Sequence, residues 1–377
     1  MTTEQVEFTE TELLMDHDFA EPLVANGERC HGGFDEDGTY VSPRTRFRAP
    51  AIEAWEQQRR EQFGTPPLDI PVDTWPVNFP NIEQSKFLIR KGAPEPTISA
   101  LTRIGTIEGF GSMLRLLPQP DLQPNFVDSI AGTATDHIRK GLFEAHARDE
   151  AGFEDEAGHD RMWFAARDIA FENPVTQDET EAILARMGIG APASASPAEL
   201  AEMRAKALAN RILPDDVDFG LESMLNRMIS LLFIEISAFH GFIWAEGVLG
   251  DTDVCAGDGE AARIVSYIRA DETPHVAYLQ VALSEMRDRT WAGADGRTYD
   301  GADMIQRLWD AQLEQSRFLK RGENLRLSIA EIERALAGRA DKDDVMEEMF
   351  SLGTVTPLDD GGFIERNRAG EDILVPA

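Results

Sequence analysis

Two copies of the sequence Asp-Glu-x-x-His constrain this chain more than any other feature. The first copy is "DEAGH" at 155–159 and the second is "DETPH" at 271–275, in a chain with only seven histidines. On an α-helix, residues three apart lie on one face, so each copy can direct a carboxylate and an imidazole at the same point. Apolar residues at helical spacing surround both copies, which predicts that each Glu-His pair lies on the inward face of a helix.

Two further glutamates lie in apolar helical stretches. Glu108 follows Leu101 and Ile104 at helical spacing, and Glu235 stands within "LLFIEISAF". An ionised carboxylate that is buried without a partner costs several kcal/mol or takes up a proton. Four buried carboxylates on facing helices therefore need compensation, and two divalent cations would balance them.

This argument predicts a two-metal site. The predicted ligands are Glu108, Glu156, His159, Glu235, Glu272 and His275. Glu144 is an alternative to Glu108, although "FEAHARDE" is crowded with charge, whereas "TIEGF" is apolar around its glutamate. For any single Glu-His pair, a structural hydrogen bond explains the pattern equally well. Because four predicted helices each place a glutamate or a Glu-His pair in the interior, we favour a metal site.

The remaining histidines receive other interpretations. His137 and His146 share a charged segment, which predicts exposed side chains or side chains behind the ligands. His31 follows Cys30 in a turn-rich region without partners, so we expect no metal role for it. His240 lies about 140° around the helix from Glu235 and is expected to be a packing residue.

The sequence pattern is typical of an all-α protein, because no stretch as long as a strand shows alternation of apolar and polar residues. Helices are predicted at about 49–64, 96–117, 126–172, 218–249, 259–289, 301–320, 328–338 and 341–351. Gly152 should break the 126–172 stretch, and Pro274 should kink the helix that contains it. A capping box at Ser196 and Pro197 predicts a helix start there.

These elements suggest three regions. Residues 1–95 form an irregular N-terminal arm that packs on the core, because the region is rich in turn residues and proline. Residues 96–290 form a helical bundle with a helical insertion at 173–219. Residues 291–377 form C-terminal accessory helices and a tail.

The order Glu108, Glu156-x-x-His159, Glu235, Glu272-x-x-His275 resembles the ferritin-like non-haem di-iron carboxylate proteins. In that family, two helices each supply a Glu and the other two each supply a Glu-x-x-His. The resemblance covers about 97–288 and departs in its first half, where 156 − 108 = 48 residues separate the glutamates against 272 − 235 = 37 in the second. It implies a ferritin-like four-helix bundle with additional helices that holds two iron ions, with a manganese-iron pair as the alternative.

The resemblance further implies an O2-dependent oxygenase or oxidase that hydroxylates, N-oxygenates or desaturates a small organic molecule. An external electron donor is expected, because the chain has no flavin or nicotinamide fingerprint. One alternative is a ferroxidase, iron-handling or peroxide-detoxifying protein of the same fold. A second alternative is a metal-free helical scaffold whose polar core is structural.

Composition limits the possible partners and compartment. A net charge of −32 argues against an extended nucleic-acid contact. The acidic N-terminus lacks an export signal, and no uninterrupted apolar run reaches the length of a membrane span, which predicts a cytoplasmic protein. Two distant cysteines give no disulfide framework and fit a reducing compartment. A homodimer is compatible with the sequence, which does not determine the oligomeric state.

Overall fold

The computed structural model describes residues 7–70, 72, 75–116, 119–171, 176–186, 196–316 and 320–377. The chain is mostly helical, as predicted. Its helices are α1 (Glu10–Leu13), α2 (Thr45–Phe63), α3 (Ile82–Arg90), α4 (Glu95–Gly109), α5 (Ala134–His137), α6 (Phe143–Ala151), α7 (His159–Ala170), α8 (Gln177–Arg186), α9 (Pro197–Ala209), α10 (Phe219–Leu249), α11 (Glu260–Asp271), α12 (Thr273–Arg287), α13 (Gly301–Glu314), α14 (Lys320–Ala335) and α15 (Lys342–Ser351). Its strands are β1 (Glu21–Ala25), β2 (Glu28–Phe34), β3 (Tyr40–Val41), β4 (Thr290–Ala292), β5 (Thr298–Asp300), β6 (Val355–Pro357), β7 (Phe363–Arg366) and β8 (Asp372–Val375).

Helix α10 is the apolar centre of the fold. Asp218 caps its N-terminus by accepting a hydrogen bond from the Leu221 amide, and the helix ends at Gly250, as predicted. Helices α11 and α12 pack against it, α7 packs against α4 and α11, and α6 contacts α7 and α4. The helices that carry the predicted ligands are therefore neighbours in space.

Within the described residues, α10 is the one helix that is long and apolar enough to cross a membrane. In its most apolar window, 56% of the residues are buried inside the protein. Core helices of globular proteins commonly pass the same test of length and hydropathy. The stretch therefore packs as an internal helix of this fold.

The break at Gly152 is confirmed, but the next helix begins later than predicted. Helix α6 ends at Ala151, and Gly152 follows with φ +76°, a conformation that glycine adopts without strain. Phe153 and Glu156 then exchange backbone hydrogen bonds, and α7 starts only at His159. The prediction that Glu156 and His159 share one helical face is therefore wrong, because Glu156 lies in a tight loop.

The kink at Pro274 is confirmed as a break between two helices. Helix α11 ends at Asp271, and Pro274 occupies the first turn of α12, where its missing N–H leaves no intrahelical bond unmade. Glu272 lies at the junction in a helical backbone conformation. The side chains of Glu272 and His275 therefore remain on one side, as predicted.

The N-terminal arm is more ordered than the sequence suggested. The short strands β1, β2 and β3 form an antiparallel sheet, and α2 packs against α12. Leu13 of α1 and Trp55 of α2 are buried in the main apolar core. The expectation of an irregular arm is wrong. Its longest strand, β2, buries four successive residues, so its sequence does not alternate between apolar and polar residues.

Two further small antiparallel sheets qualify the all-α prediction. Strands β4 and β5 form a hairpin, and β6, β7 and β8 form a three-stranded sheet in the C-terminal tail. Each of these strands has only three or four residues. The strands of the tail pair with one another over short segments. A search for periodicity over the length of a helix does not detect strands this short.

Helices α8 and α9 occupy the predicted insertion. Pro197 is the first residue of α9, as the capping signal predicted. Residues 173–175 and 187–195 of the predicted insertion lie outside the described residues. After residue 300, the three predicted helices correspond to α13, α14 and α15.

We expect Gly158→Ala to destabilise the protein by about 2 kcal/mol or more, because a side chain there overpacks the loop before α7. An added Cβ would meet the Gly152 backbone nitrogen at 2.2 Å. The matched control is Gly241→Ala in α10, where an added Cβ meets no atom within 4 Å. Chemical denaturation should show that this control unfolds no more easily than the wild type. Equal stability of the two variants would contradict the close packing of this loop.

Candidate metal centre

Seven buried or half-buried side chains converge where the helices meet. Helix α4 contributes one, α6 two, α7 one, α10 one, and the α11–α12 junction two. They are Glu108, His146, Glu150, His159, Glu235, Glu272 and His275. All are nearly inaccessible except Glu108, which keeps part of its surface open to a cavity.

Among the described residues, three groups of side chains could hold a metal ion, and two of them share Glu150, whereas the third consists of His31, His159 and Asp271. Of the two that share Glu150, one contains His146, Glu150, Glu235 and His275, and the other contains Glu108, Glu150, His159 and Glu272. Within each group, one ligand atom per residue lies within 4.8 Å of the others. Each group could hold a metal ion, and Glu150, which is common to both, is placed to bridge two ions.

Several atoms of the cluster are close together without being aligned for hydrogen bonds. His146 Nε2 lies 3.2 Å from Glu150 Oε1 and 3.2 Å from Glu235 Oε1. Neither Glu150 oxygen, nor His146 Nε2, has a hydrogen-bond partner among the described residues. Buried polar atoms are rarely left in this way, so the arrangement suits a cation better than a network of hydrogen bonds.

Each of the three histidines turns one ring nitrogen towards the carboxylates and the other towards an outer partner. His275 Nε2 lies 2.9 Å from Asp149 Oδ2. His159 Nε2 lies 3.5 Å from Asp271 Oδ2, and His146 Nδ1 lies 3.0 Å from the Tyr278 hydroxyl. His275 and His146 are hydrogen-bonded to their outer partners, whereas His159 Nε2 only lies near Asp271. Metal-binding histidines are commonly held by such an outer hydrogen bond, because it fixes the ring and its tautomer.

Each outer carboxylate contacts a histidine from the other half of the chain. Asp149, which precedes Glu150, contacts His275 from the second half. Asp271, which precedes Glu272, contacts His159 from the first half. The two Asp-Glu pairs that enter the cluster are therefore Asp149-Glu150 and Asp271-Glu272. The aspartate of each pair contacts a histidine from the other half of the chain.

The N-terminal arm completes this outer layer. Arg44 Nε donates to Asp149 Oδ1 at 2.7 Å, and Arg48 Nη1 lies 2.7 Å from Asp149 Oδ2. Burial alone would raise the pKa of Asp149, but the two guanidinium groups hold it well below its usual range. The Tyr40 hydroxyl donates to Asp271 at 2.8 Å. Burial alone would raise the pKa of Asp271 too, but His159 and His31 lower it.

Without a cation, burial and the charges of neighbouring groups shift the pKa values of several side chains in the cluster. Burial and the neighbouring carboxylates raise the pKa values of Glu108 and Glu235 well above the usual range. Burial alone would lower the pKa of His159, but the charges of Glu272 and Glu150 raise it well above its usual value. Burial and the adjacent His275 lower the pKa of His146 to about 4. Metal binding would have to displace the protons of the two raised carboxyl groups.

The structure brings together five of the six ligands predicted from the sequence. They are Glu108, His159, Glu235, Glu272 and His275. Glu156 lies apart, where its carboxylate pairs with Arg29 at 2.8 Å on the protein surface. The alternative ligand Glu144 also lies apart, since it pairs with Arg148 at 2.7 Å.

Sequence reasoning missed His146 and Glu150. The expectation that His146 is exposed or lies behind the ligands is wrong, because α6 turns it into the cluster, fully buried. The signal was present in "HARDE", where a histidine and a glutamate four residues apart share a helical face. The Asp-Glu pair at 155–156 drew attention away from this signal, because His159 follows it at the same spacing as His275 follows the pair at 271–272.

The other histidines have different environments. His31 is buried beside the cluster, with Nε2 3.4 Å from Asp271 Oδ2, so it supports an outer carboxylate. His137 is buried too, and its Nδ1 lies 2.7 Å from the Thr133 carbonyl oxygen. His240 does not belong to the cluster and lines a cavity.

That cavity measures ≈ 530 Å³ and borders the cluster at Glu108. Helices α4, α10 and α14 and the segment around residues 75–80 form its wall. The aromatic side chains in the wall include Trp75, Phe79, Trp163 and Phe242. A small organic molecule therefore has room beside the candidate metal centre.

Comparison with known proteins gives no further guide, since no family model, no curated protein and no solved structure matches this chain.

We expect Glu150→Ala to weaken divalent-metal binding at least about 100-fold, because it removes the carboxylate common to both groups. The matched control is Glu156→Ala, which removes the half-buried glutamate of the first Asp-Glu-x-x-His copy, outside the cluster, and should bind metal like the wild type. Equilibrium dialysis with Fe(II) or Mn(II) under anaerobic conditions, followed by elemental analysis, measures both. Loss of metal in the Glu156 variant alone would assign the site to the sequence motif instead.

The raised pKa values of Glu108 and Glu235 predict an unusual pH dependence for metal-free protein. At pH values above the usual pKa of a glutamate, the folded state therefore binds more protons than the unfolded state. The free energy of unfolding should therefore fall as pH rises from about 5, by up to about 1.4 kcal/mol per pH unit for each group. Glu108→Gln mimics the protonated form, so metal-free Glu108→Gln should become progressively more stable than the wild type between about pH 5 and 8. A pH-independent difference, measured by chemical denaturation, would contradict this assignment.

Proposed function

We propose that the protein is an O2-dependent di-iron oxygenase or oxidase that acts on a small organic molecule. The observation that carries the proposal is the pair of metal-ligand groups joined by Glu150, beside a cavity that reaches Glu108. The outer partners of all three histidines support a metal role over a purely structural polar core.

We interpret the helices that surround the cluster as a ferritin-like arrangement. Helices α4 and α10 each contribute one carboxylate, while α6 and the α11–α12 junction each contribute a glutamate and a histidine. This is the distribution that di-iron carboxylate bundles use. His159 on α7 is an additional histidine that the simple pattern does not contain.

The donor set favours iron. Carboxylate oxygens with a few imidazoles suit iron(II) or manganese(II), whereas copper and structural zinc prefer more nitrogen or sulfur. Four carboxylates also neutralise two divalent ions. Both a di-iron and a manganese-iron pair fit this set, and we propose the di-iron form.

The protein's own residues would prepare the reaction in three ways. Asp149 and Tyr278 orient His275 and His146 by hydrogen bonds, and Asp271 lies beside His159. Glu150 would be a ligand common to both ions. The aromatic cavity wall keeps bulk water from the face at Glu108. Two iron(II) ions in such a site can supply electrons to O2, and an external electron donor would restore them.

The cavity favours oxidation of an organic substrate over iron storage. A ferroxidase needs an entry path for ions, which carboxylates would line, whereas this cavity is walled mainly by aromatic and aliphatic side chains. The cavity has the size of sites that hold small molecules. We therefore favour the oxygenase over the ferroxidase and the metal-free scaffold.

The test is anaerobic loading with Fe(II), followed by exposure to O2. We expect about two irons per chain and a transient visible absorption after O2 is admitted, because O2 would react where the two groups meet. O2 consumption should then depend on an added organic substrate and a reductant. A panel of carboxylic acids, amines and acyl compounds, analysed by mass spectrometry, would reveal the oxidised product.

Each alternative has its own outcome in this experiment. O2 consumption with Fe(II) as the sole reductant, and no effect of any organic compound, would indicate a ferroxidase. Failure to bind iron at all would contradict both metal functions and leave the scaffold. Glu156→Ala serves as the control, since it should behave like the wild type at every step.

A further inference from the structure

A basic side chain in the cavity wall lacks an ion-pair partner. Arg103 lies on α4, five residues before Glu108, and borders the same cavity. In the described part of the chain, no carboxylate lies within ion-pair distance of its guanidinium group and no hydrogen bond to it is present. This is unexpected in a chain with 68 acidic and 36 basic residues, where a guanidinium can readily find a carboxylate.

The charged neighbours of Arg103 are engaged elsewhere. Arg321 pairs with Glu365 and donates to the Val77 carbonyl at 2.8 Å. Glu331 accepts a hydrogen bond from the Ser99 hydroxyl at 3.2 Å and pairs with Arg334. Burial and the nearby Arg321 lower the pKa of Arg103, whereas Glu331 raises it. An arginine stays protonated in proteins, so the cavity wall carries a positive charge that has no ion-pair partner among the described residues.

A second polar side chain in the wall is also without a partner. His240 on α10 is only 4% exposed, and neither of its ring nitrogens makes a hydrogen bond to the described residues. Burial and Arg368 lower its pKa to about 4, so the ring is neutral near pH 7. A neutral imidazole that is buried at a cavity is a ready donor or acceptor for a ligand.

The space between Arg103 and the metal centre is apolar. Ile104 and Ile107 lie between Arg103 and Glu108 on α4, and Phe233 and Trp163 face the cavity from neighbouring helices. Five residues of α-helix separate Arg103 from Glu108 by about 7.5 Å along the axis. A ring or a short alkyl chain has this length.

From these observations we infer that the substrate is a small carboxylic acid whose carboxylate pairs with Arg103 and whose apolar body extends towards Glu108. The bidentate geometry of a guanidinium suits a carboxylate. His240 would contact a polar group on the body of the acid. That the bound acid is the substrate rests on the proposed function, whereas its binding at Arg103 does not.

The test uses the metal-free protein and two matched probes, 4-propylbenzoate and its neutral amide, 4-propylbenzamide. Binding is followed by tryptophan fluorescence, because Trp75, Trp163 and Trp244 border the cavity. We expect the benzoate to bind at least about 10-fold more tightly than the amide. Arg103→Gln should weaken binding of the benzoate by about 10- to 100-fold and leave the amide unaffected.

Two variants complete the design. Arg103→Lys keeps the charge and should restore part of the benzoate affinity, but not all, because it loses the fork-shaped contact. Arg46→Gln removes a surface guanidinium that pairs with Asp18, and should leave both affinities unchanged. Circular dichroism and thermal unfolding confirm that each variant is folded before binding is measured.

The outcomes separate this inference from the proposed function. Equal affinities of the benzoate and the amide, an Arg103→Gln variant that keeps its affinity, or no binding of the benzoate at all would overturn the inference. Since no iron is present, a negative oxygenase result leaves acid binding untouched. Conversely, substrate-dependent O2 consumption with amines or neutral compounds alone would support the oxygenase and contradict an acid substrate.

Discussion

The desolvation of four glutamates is the constraint on which the rest of the structure depends. Glu108, Glu150, Glu235 and Glu272 lie together in the interior, where the charged form of each is strongly disfavoured. Without a cation, burial and neighbouring carboxylates raise the pKa of Glu108, and the charges of Glu272 and Glu150 raise that of His159. A polar cluster of this size brings little stability by itself, since replacing buried ionic groups by apolar ones is often neutral or stabilising. Its presence is therefore better explained by a function that needs it.

The outer layer shows how the fold keeps this cluster in one geometry. Asp149 and Asp271 reach across to the histidine of the opposite half, so neither half can move independently of the other. Arg44 and Arg48 from the N-terminal arm hold Asp149 ionised. The arm thus contributes to the site although none of its residues belongs to the two ligand groups. Without the arm, buried Asp149 would lose both guanidinium partners and keep only its contact with His275.

The cavity connects the cluster to the remainder of the molecule. One of its ends is Glu108, which belongs to the ligand groups, and its wall also contains Arg103 and His240, which do not. Helix α4 carries both Glu108 and Arg103, so one rigid element fixes the distance between the candidate metal centre and the guanidinium group. Sites on rigid elements hold their geometry better than sites on loops.

The sequence by itself determined that the chain is mostly helical, where the long helix α10 begins and ends, and that glutamates and histidines would meet in an apolar interior. These properties follow from local periodicity, caps and the cost of burying charge, which neighbouring residues specify. Only the tertiary structure decided which Asp-Glu pair faces inward. Glu150 lies at the end of α6 and points into the cluster, whereas Glu156 lies in the loop that Gly152 and Gly158 create, and it reaches Arg29 at the surface. Both pairs have similar local sequences, and the choice between them depends on a glycine turn packed against a strand from the distant arm, which no local pattern contains.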